Sequence, residues 1–517
     1  MIEVADERAM TEDVVSTGIV VARQTAISGT WTVGARLVSR LIDLATMLVL
    51  AHVLSPRDFG LVAIAMTVIY IMEAAFELPV SQALVRLNDA GPSHYDTAFT
   101  LSLLRGAALS SIACLTSWPF AHFYADARLL PLVCALSLAP AARGLVSPRL
   151  ADFSKNLDFS PDFIMEFLGK VAAFLAAIIL AITMRSYWAI AAGTVLAPVT
   201  STIVSYVLAP YRPRLSLSKL PAFSGFLGWI TAAQVVSAFN WQTDRLLLGK
   251  LTSKSALGLF TTANDTANVP VMALLTPVLR PLLSAFSLLK EDSKRLARSY
   301  QNSATAMVTL GLPVLVGESL IAYPAVRLML GEKWMGAAPL LRWLAISLVP
   351  MLFAVPMGPL VMTFGRTRIF FQRNLFEVCV KVPLVVLGAL KYGFMGVIFA
   401  RCISESATVC FCMVAVRRLI GLPIREQIRG PWRSIASTTA MTLVVWLSLP
   451  RSNQASTTAS LAMNCIFSIG LGAVTYAATL WSLWIAAGSP SGLEAIVSRK
   501  LSSLIKLGRR FGSPELS

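Results

Sequence analysis

Charged side chains stand inside stretches of this chain that are otherwise apolar, and their types and spacing are what could do chemistry. Arg36, Arg40 and Asp43 follow at intervals of four and three, which puts them on one stripe of a helix. Arg105, Asp244, Arg245, Asp265, Arg280 and Arg342 lie in further apolar runs. A guanidinium offers forked donors and stays charged, so arginines converging on one space suit phosphate. Arg36, Arg40, Arg245 and Arg280 are therefore candidates for lining a polar, partly cationic chamber that suits phosphate. Glu73 and Glu77 are like charges on one helix face, and they need an arginine, a proton or a cation. Desolvation makes a carboxylate hold its proton more tightly. Glu73, Glu77 and Asp265 are thus candidates for ion or proton coupling. Glu166/Lys170, Glu377/Lys381 and Arg401/Glu405 each set opposite signs four residues apart, where helix neighbours meet. These six are expected to form structural ion pairs. The competing reading of every such charge is a network that only holds helices together.

Other chemistries lack their residues. Gly249-Lys250 is followed by Leu251, so the phosphate loop of ATP-hydrolysing proteins is missing. The three histidines, His52, His94 and His122, are scattered, and no metal site is expected. Seven cysteines fall in apolar stretches with no zinc or redox spacing and read as small buried hydrophobes. No cofactor is expected.

The elements that must carry these charges follow from composition. Of 517 residues, 56% are hydrophobic and 14% charged, against about 25% charged in an ordinary soluble domain. At ~20 apolar residues per crossing, there is room for roughly fourteen spans and little else. A soluble enzyme and a nucleic-acid binder are excluded. Spans are expected at about 25–54, 58–86, 96–121, 129–150, 163–183, 187–209, 223–249, 256–287, 300–323, 336–364, 372–390, 393–416, 434–449 and 461–487. Pro270, Pro277 and Pro281 are expected to break the eighth, and Pro350, Pro356 and Pro359 the tenth. A charge at mid-bilayer costs roughly 2.5–3.5 kcal/mol, so these residues must face protein or a wet cavity.

The formal charge of +17 is unevenly placed. With the N-terminus inside, inner connections and the tail hold about 25 Lys and Arg against about 9 outside. Both termini are therefore expected in the cytoplasm, with the inner loops drawn to anionic membrane lipid. Residues 493–511 space apolar side chains at helical intervals opposite Arg499, Lys506 and Arg510, as an amphipathic surface helix does.

The chain also repeats itself. At an offset of 198 residues, 50–61 lies over 248–259, with Ser55 on Ser253 and Gly60 on Gly258. At an offset of 211, Glu166 and Lys170 lie over Glu377 and Lys381. Six spans separate the copies, so both enter the membrane in the same direction. The expected fold is an all-α integral membrane protein of about 14 transmembrane helices: two six-helix lobes in parallel pseudo-twofold repeat, plus two C-terminal helices. The corresponding segments are a cytoplasmic 1–24, an N-lobe 25–209, a linker 210–222, a C-lobe 223–416, a final helix pair with its basic loop at 417–487, and a basic tail 488–517.

The stretch from Arg36 through Leu54-Ser55-Pro56-Arg57-Asp58-Phe59-Gly60 resembles the start of polysaccharide-transport (Wzx-like) flippases. So does Asp244-Arg245-Leu246-Leu247-Leu248-Gly249-Lys250-Leu251, followed by Ala256-Leu257-Gly258-Leu259-Phe260. This chain has Leu259-Phe260 where Gly-Tyr is common in that family. The resemblance spans nearly the whole chain and implies the multidrug/oligosaccharidyl-lipid/polysaccharide exporter superfamily. It implies a non-enzymatic transporter of the bacterial inner membrane that flips polyprenyl-diphosphate-linked oligosaccharide by alternating access, for exopolysaccharide, O-antigen (lipopolysaccharide) or capsule assembly. In similar flippases arginines on spans 1 and 8 line the headgroup cavity, the spans of Arg36, Arg40 and Arg280. Partners implied are the lipid-linked oligosaccharide, a polysaccharide polymerase and a chain-length regulator, with no nucleic acid. A cation-coupled multidrug exporter on the same scaffold is the alternative, and a membrane glycan polymerase or ligase a further one.

Overall fold

The protein's structure, a computed structural model, describes residues 38–39, 41–76, 80–87, 91–155, 158, 160–221, 229–448, 458–489, 494–495 and 498. Arg36, Arg40, Glu77 and nearly all of the 493–511 tail lie outside them. The described residues are almost entirely helical, and nine of their helices are long and apolar enough to cross a membrane. The chain divides into two compact units, one ending at Ala238 and the other beginning at Phe239.

In the first unit, α1 (Leu41–Val53) leads into α2 (Pro56–Ala75). Ser55 caps α2: its hydroxyl accepts from the Asp58 amide at 3.4 Å, and Asp58 reciprocates by accepting from the Ser55 amide at 3.0 Å. That box, with proline in the first turn, fixes where the helix begins. α3 (Val80–Arg86) and α4 (Pro92–Phe123) follow. The expected single span at 129–150 is instead two short helices, α5 (Leu129–Leu136) and α6 (Leu138–Gly144), with α7 (Leu150–Lys155) beyond. α8 (Ser160–Met184) packs along α9 (Trp188–Leu208) over a seam of small residues. A Cβ on Gly169 would lie 2.7 Å from the Ala197 carbonyl, so only glycine allows that approach.

α10 (Trp229–Leu251), which runs across the division into the second unit, and α11 (Lys254–Leu288) repeat the join of α1 and α2. Ser253 caps α11 by accepting from the Ala256 amide at 3.2 Å. The two serines aligned at an offset of 198 are thus the same structural device in each unit. α11 continues through Pro270, Pro277 and Pro281 as one helix, contrary to the expected break. Packed neighbours can satisfy the carbonyls that proline frees within a membrane helix. Proline does end α14 (Ala337–Ser347), which gives way to a single 3-10 turn and then to α15 (Met357–Thr363), as expected for the tenth span. Before them come α12 (Ser293–Leu320) and α13 (Ala322–Met329). α16 (Arg368–Ile420) is two helices joined at Gly393, whose φ of 59° and ψ of −137° suit only glycine. α17 (Ile424–Arg429), α18 (Trp432–Ser448) and α19 (Thr458–Ala486) complete the unit.

Each unit has its own core: Leu50, Leu54, Ala177 and Ala189 in the first, and Phe286, Leu296, Tyr300, Leu360 and Val416 in the second. Large apolar side chains also face outward, among them Leu115, Trp118, Leu387 and Val474. Lipid accepts such faces where water would not. Cys114, Cys379 and Cys410 share those outer faces rather than being buried, and all seven cysteines are free. At the start of the tail, Glu494 is helical and buried, and it pairs with Arg433 at 3.3 Å.

Candidate functional site

Four-residue spacing builds a polar chamber inside the second unit. Asn240 and Asp244 share one face of α10. Asn264 and Asn268 share one face of α11. Arg373, Glu377 and Lys381 form a stripe on the first half of α16, and Arg401 and Glu405 a stripe on its second half. These residues, with Arg245, line a cavity of about 170 Å³ closed by Trp241, Phe260, Met272, Leu348 and Met351. Packing α10, α11 and α16 together therefore brings the buried Asp244, Glu377 and Lys381 to one place.

Lys381 is the centre of the network. Its Nζ donates to the Asn240 carbonyl at 2.9 Å and lies 3.2 Å from Asp244 Oδ2. Both side chains are 6% exposed, so the pair is out of solvent. Arg401 Nη1 donates to Asn264 Oδ1 at 2.6 Å and sits 4.0 Å from the same Asp244 oxygen. Arg373 pairs with Glu377 at 3.2 Å. Arg245 donates to Asp265 Oδ1 at 2.7 Å, where the Asn264 amide also points, at 3.3 Å. Four cations meet four carboxylates, because a buried guanidinium or ammonium is tolerable only beside a counter-charge. Asp244 Oδ1, Asn240 Oδ1 and Arg401 Nε remain buried without partners. The chamber thus offers unused acceptors and a donor side by side, the complement of a hydroxyl-rich guest, since each hydroxyl both donates and accepts.

The first unit carries a related arrangement. Lys170 of α8 lies 2.7 Å from Asp43 Oδ2 and 3.2 Å from Glu166, and reaches the Ser39 carbonyl at 3.4 Å. A lysine therefore grips a carbonyl and the carboxylate four residues on in both units: Ser39 and Asp43 here, Asn240 and Asp244 there. The matching offset on the carboxylate side is 201 rather than 198. Elsewhere in this unit Glu73 pairs with Arg143 of α6, and its carbonyl accepts from Arg105 Nη2 at 3.3 Å. These three residues line a small cavity of about 20 Å³.

Measured against expectation, Glu166 and Lys170 pair along their own helix. Lys381 does not pair with Glu377: it crosses to Asp244, and Arg373 takes Glu377. Arg401 likewise turns from Glu405 to Asn264 and Asp244. In both cases a partner on another helix, deeper in the unit, outcompetes the neighbour four residues away. Arg245 and Asp265, expected in separate roles, bond each other. Glu73 is held by Arg143. Arg280 lies on α11, and its side chain is outside the described atoms, as are Arg36, Arg40 and Glu77. Sequence reasoning passed over Arg143, Asn240, Asn264 and Arg373. The signal for Asn240 and Asn264 was present, as amides four residues from Asp244 and Asn268 in apolar helices. Arg143 was hidden by the proline-broken stretch around it.

Comparison with known proteins adds three findings. The model of a family described as polysaccharide biosynthesis protein matches residues 49–339. The chain is 24% identical over 438 residues to the lipopolysaccharide biosynthesis protein WzxC of Escherichia coli (strain K12), covering 83% of this chain and 86% of that one. It is 23% identical over 414 residues to the succinoglycan biosynthesis transport protein ExoT of Rhizobium meliloti (strain 1021), covering 78% and 82%. Among solved structures, the lipid II flippase MurJ in an inward closed conformation superposes with a TM-score of 0.71 at 14% identity, over 88% of this chain and 98% of that one. An inward-facing multidrug resistance MATE family transporter of the MOP superfamily gives 0.59 at 15% identity, over 74% and 94%.

Proposed function

This chain belongs to the polysaccharide biosynthesis protein family, and from that premise we propose that it flips a polyprenyl-diphosphate-linked oligosaccharide across the membrane by alternating access. The observation that carries this reading is the chamber of the second unit, with its buried charges and unpartnered Asp244, Asn240 and Arg401 atoms. Ionisable groups inside a membrane bundle are costly, and they mark a polar pathway where they line a cavity. The relatives' names, a lipopolysaccharide biosynthesis protein and a succinoglycan transport protein, supply the class of cargo. Arg36, Arg40, Arg245 and Arg280 are proposed to hold the diphosphate, and Glu73, Glu77 and Asp265 to couple an ion or proton. The distribution of Lys and Arg supports an inner-membrane protein with both termini in the cytoplasm. A polymerase and a chain-length regulator are its proposed partners, and transport its proposed role in place of catalysis. The charged and amide lining favours this cargo over the drugs of a multidrug exporter.

The test is outer-leaflet accumulation of lipid-linked oligosaccharide in cells lacking the chain and complemented with variants. Arg245→Gln and Arg401→Gln each remove a charge-assisted bond of roughly 1.5–3 kcal/mol. Each is expected to slow transport by about tenfold or more per molecule present in the membrane. Arg36→Ala, Arg40→Ala and Arg280→Ala extend the series to the proposed diphosphate holders. Wild-type accumulation in all five variants would overturn the proposal.

A further inference from the structure

The first unit holds a second and larger cavity, of about 580 Å³, where α4 begins and α9 ends. Arg149, Arg212 and Arg214 line it, with Tyr95, Tyr206 and Tyr211. We propose that this cavity is a binding site for the phosphate headgroup of a lipid, separate from the chamber of the second unit.

The cavity is built rather than incidental. The segment after α9 is stapled across the start of α4: Tyr211 donates to Asp96 Oδ1 at 2.6 Å, the Ser216 amide to Thr100 Oγ1 at 2.9 Å, and the Lys219 amide to Thr97 Oγ1 at 3.3 Å. Arg149 donates to the Pro210 carbonyl at 3.4 Å from the other side. These bonds hold Arg212 and Arg214 beside Arg149.

Charge separates this cavity from the chamber. There, cations and carboxylates balance. Here, Arg212 and Arg214 are exposed and have no ion pair among the described residues, while the lining carboxylate, Asp96, is already engaged by Tyr211. Burial and that hydrogen bond push the Tyr211 phenol above its ordinary range, so it remains a neutral donor. α4 starts at Pro92 with no side-chain cap, and a 32-residue helix directs its positive end into the same space. Three guanidiniums and a helix N-terminus against the single lining carboxylate, Asp96, leave the cavity net positive, as a receptor for phosphate must be.

A lipid, rather than free phosphate, fits the surroundings. One turn away on α9, Ile203 and Val207 are 62% and 74% exposed and form an apolar strip running from the cavity into the span. An acyl or prenyl chain on that strip leaves its headgroup in the cavity. Tyr206 and Tyr211 stand at the end of a candidate span, α9, and tyrosine is a residue that gathers at span ends. The inner-loop charge asymmetry assigns this end to the cytoplasmic leaflet. The site does not rest on the flipping reading: either an anionic glycerophospholipid or the diphosphate of a prenyl carrier supplies the same chemistry.

The experiment uses the purified full chain in a neutral detergent and native mass spectrometry with four probes: dioctanoyl phosphatidylglycerol, dioctanoyl phosphatidylcholine, farnesyl diphosphate and inorganic phosphate. Arg212→Gln/Arg214→Gln is compared with Lys290→Gln/Lys294→Gln, which removes the same charge from an exposed turn and the helix start that follows it in the second unit. The arginine double variant is expected to weaken phosphatidylglycerol or farnesyl diphosphate binding by roughly a hundredfold, at about tenfold, or ~1.4 kcal/mol, per arginine. The lysine variant is expected to bind as wild type. Whichever of these two probes binds more tightly identifies the lipid class. Binding of inorganic phosphate alone, equal binding of phosphatidylcholine, or equal losses in both double variants would each overturn the proposal.

Discussion

Replacing Lys381 with methionine is expected to destabilise the second unit by roughly 3–5 kcal/mol, the loss seen when one partner of a buried ion pair is removed. Asp244 is 4% exposed and receives its cations from Lys381 at 3.2 Å and Arg401 at 4.0 Å. One of its oxygens already has no partner. Without the ammonium, the other keeps only the distant guanidinium, and the Asn240 carbonyl loses its donor as well. The thermal midpoint of the purified protein and its level in the membrane measure the loss. Adding Asp244→Asn to Lys381→Met is expected to restore most of the midpoint, because the stranded charge is then gone. If the single variant melts with wild type, Lys381 is not what neutralises the chamber. The matching change in the first unit, Lys170→Met, is expected to cost less. Its carboxylates, Asp43 and Glu166, are 45% and 49% exposed, against 6% for Asp244, so losing the ammonium strands less charge in the packed interior. The same motif is thus predicted to contribute more to stability in the second unit than in the first, because it is more deeply buried there.

Much of this was legible in the chain and part was not, for a physical reason. Apolar length gave the all-helical membrane fold, since a crossing helix has few alternatives. The serine match at an offset of 198 was legible as a repeat, and the structure shows both serines to be N-caps, which depend only on residues within one turn. Glu166 and Lys170 aligned with Glu377 and Lys381 and so found the two lysines that matter. What the four-residue rule did not give was their partners. A local pair adds ~0.2–0.5 kcal/mol on an open helix, and a buried carboxylate on a neighbouring helix demands far more. Lys381 answers that demand and leaves Glu377 to Arg373. The offset of 201 that relates Asp43 to Asp244 was masked by the stronger match at 198, three residues away and almost one helical turn. The proline-broken 129–150 stretch hid Arg143, because its period matched neither a clean span nor a loop.

Gly396→Ala is expected to be as severe as the lysine change, through packing instead of charge. The two halves of α16 turn back on each other at Gly393, and Gly388 and Gly396 meet across that bend. A Cβ on Gly396 would fall on the Gly388 carbonyl group and 2.8 Å from its Cα. Both obstacles are backbone, so no rotamer change relieves them. Overpacking of this kind costs ~1–3 kcal/mol where side chains can shift, and about 3 kcal/mol or more is expected where they cannot. The bend also sets the geometry of the chamber, because Arg373, Glu377 and Lys381 precede it and Arg401 and Glu405 follow it. Splaying the two halves pulls Arg401 from Asn264 and Asp244, so transport should fall together with stability. Gly358→Ala is the control: its Cβ would meet only the Phe370 ring at 3.9 Å, within ordinary contact, and alanine suits the interior of α15. That variant is expected to keep the wild-type midpoint and transport rate. A Gly396→Ala protein that also keeps both would show that the helices can separate at the bend without consequence, and the chamber would then owe nothing to their close approach.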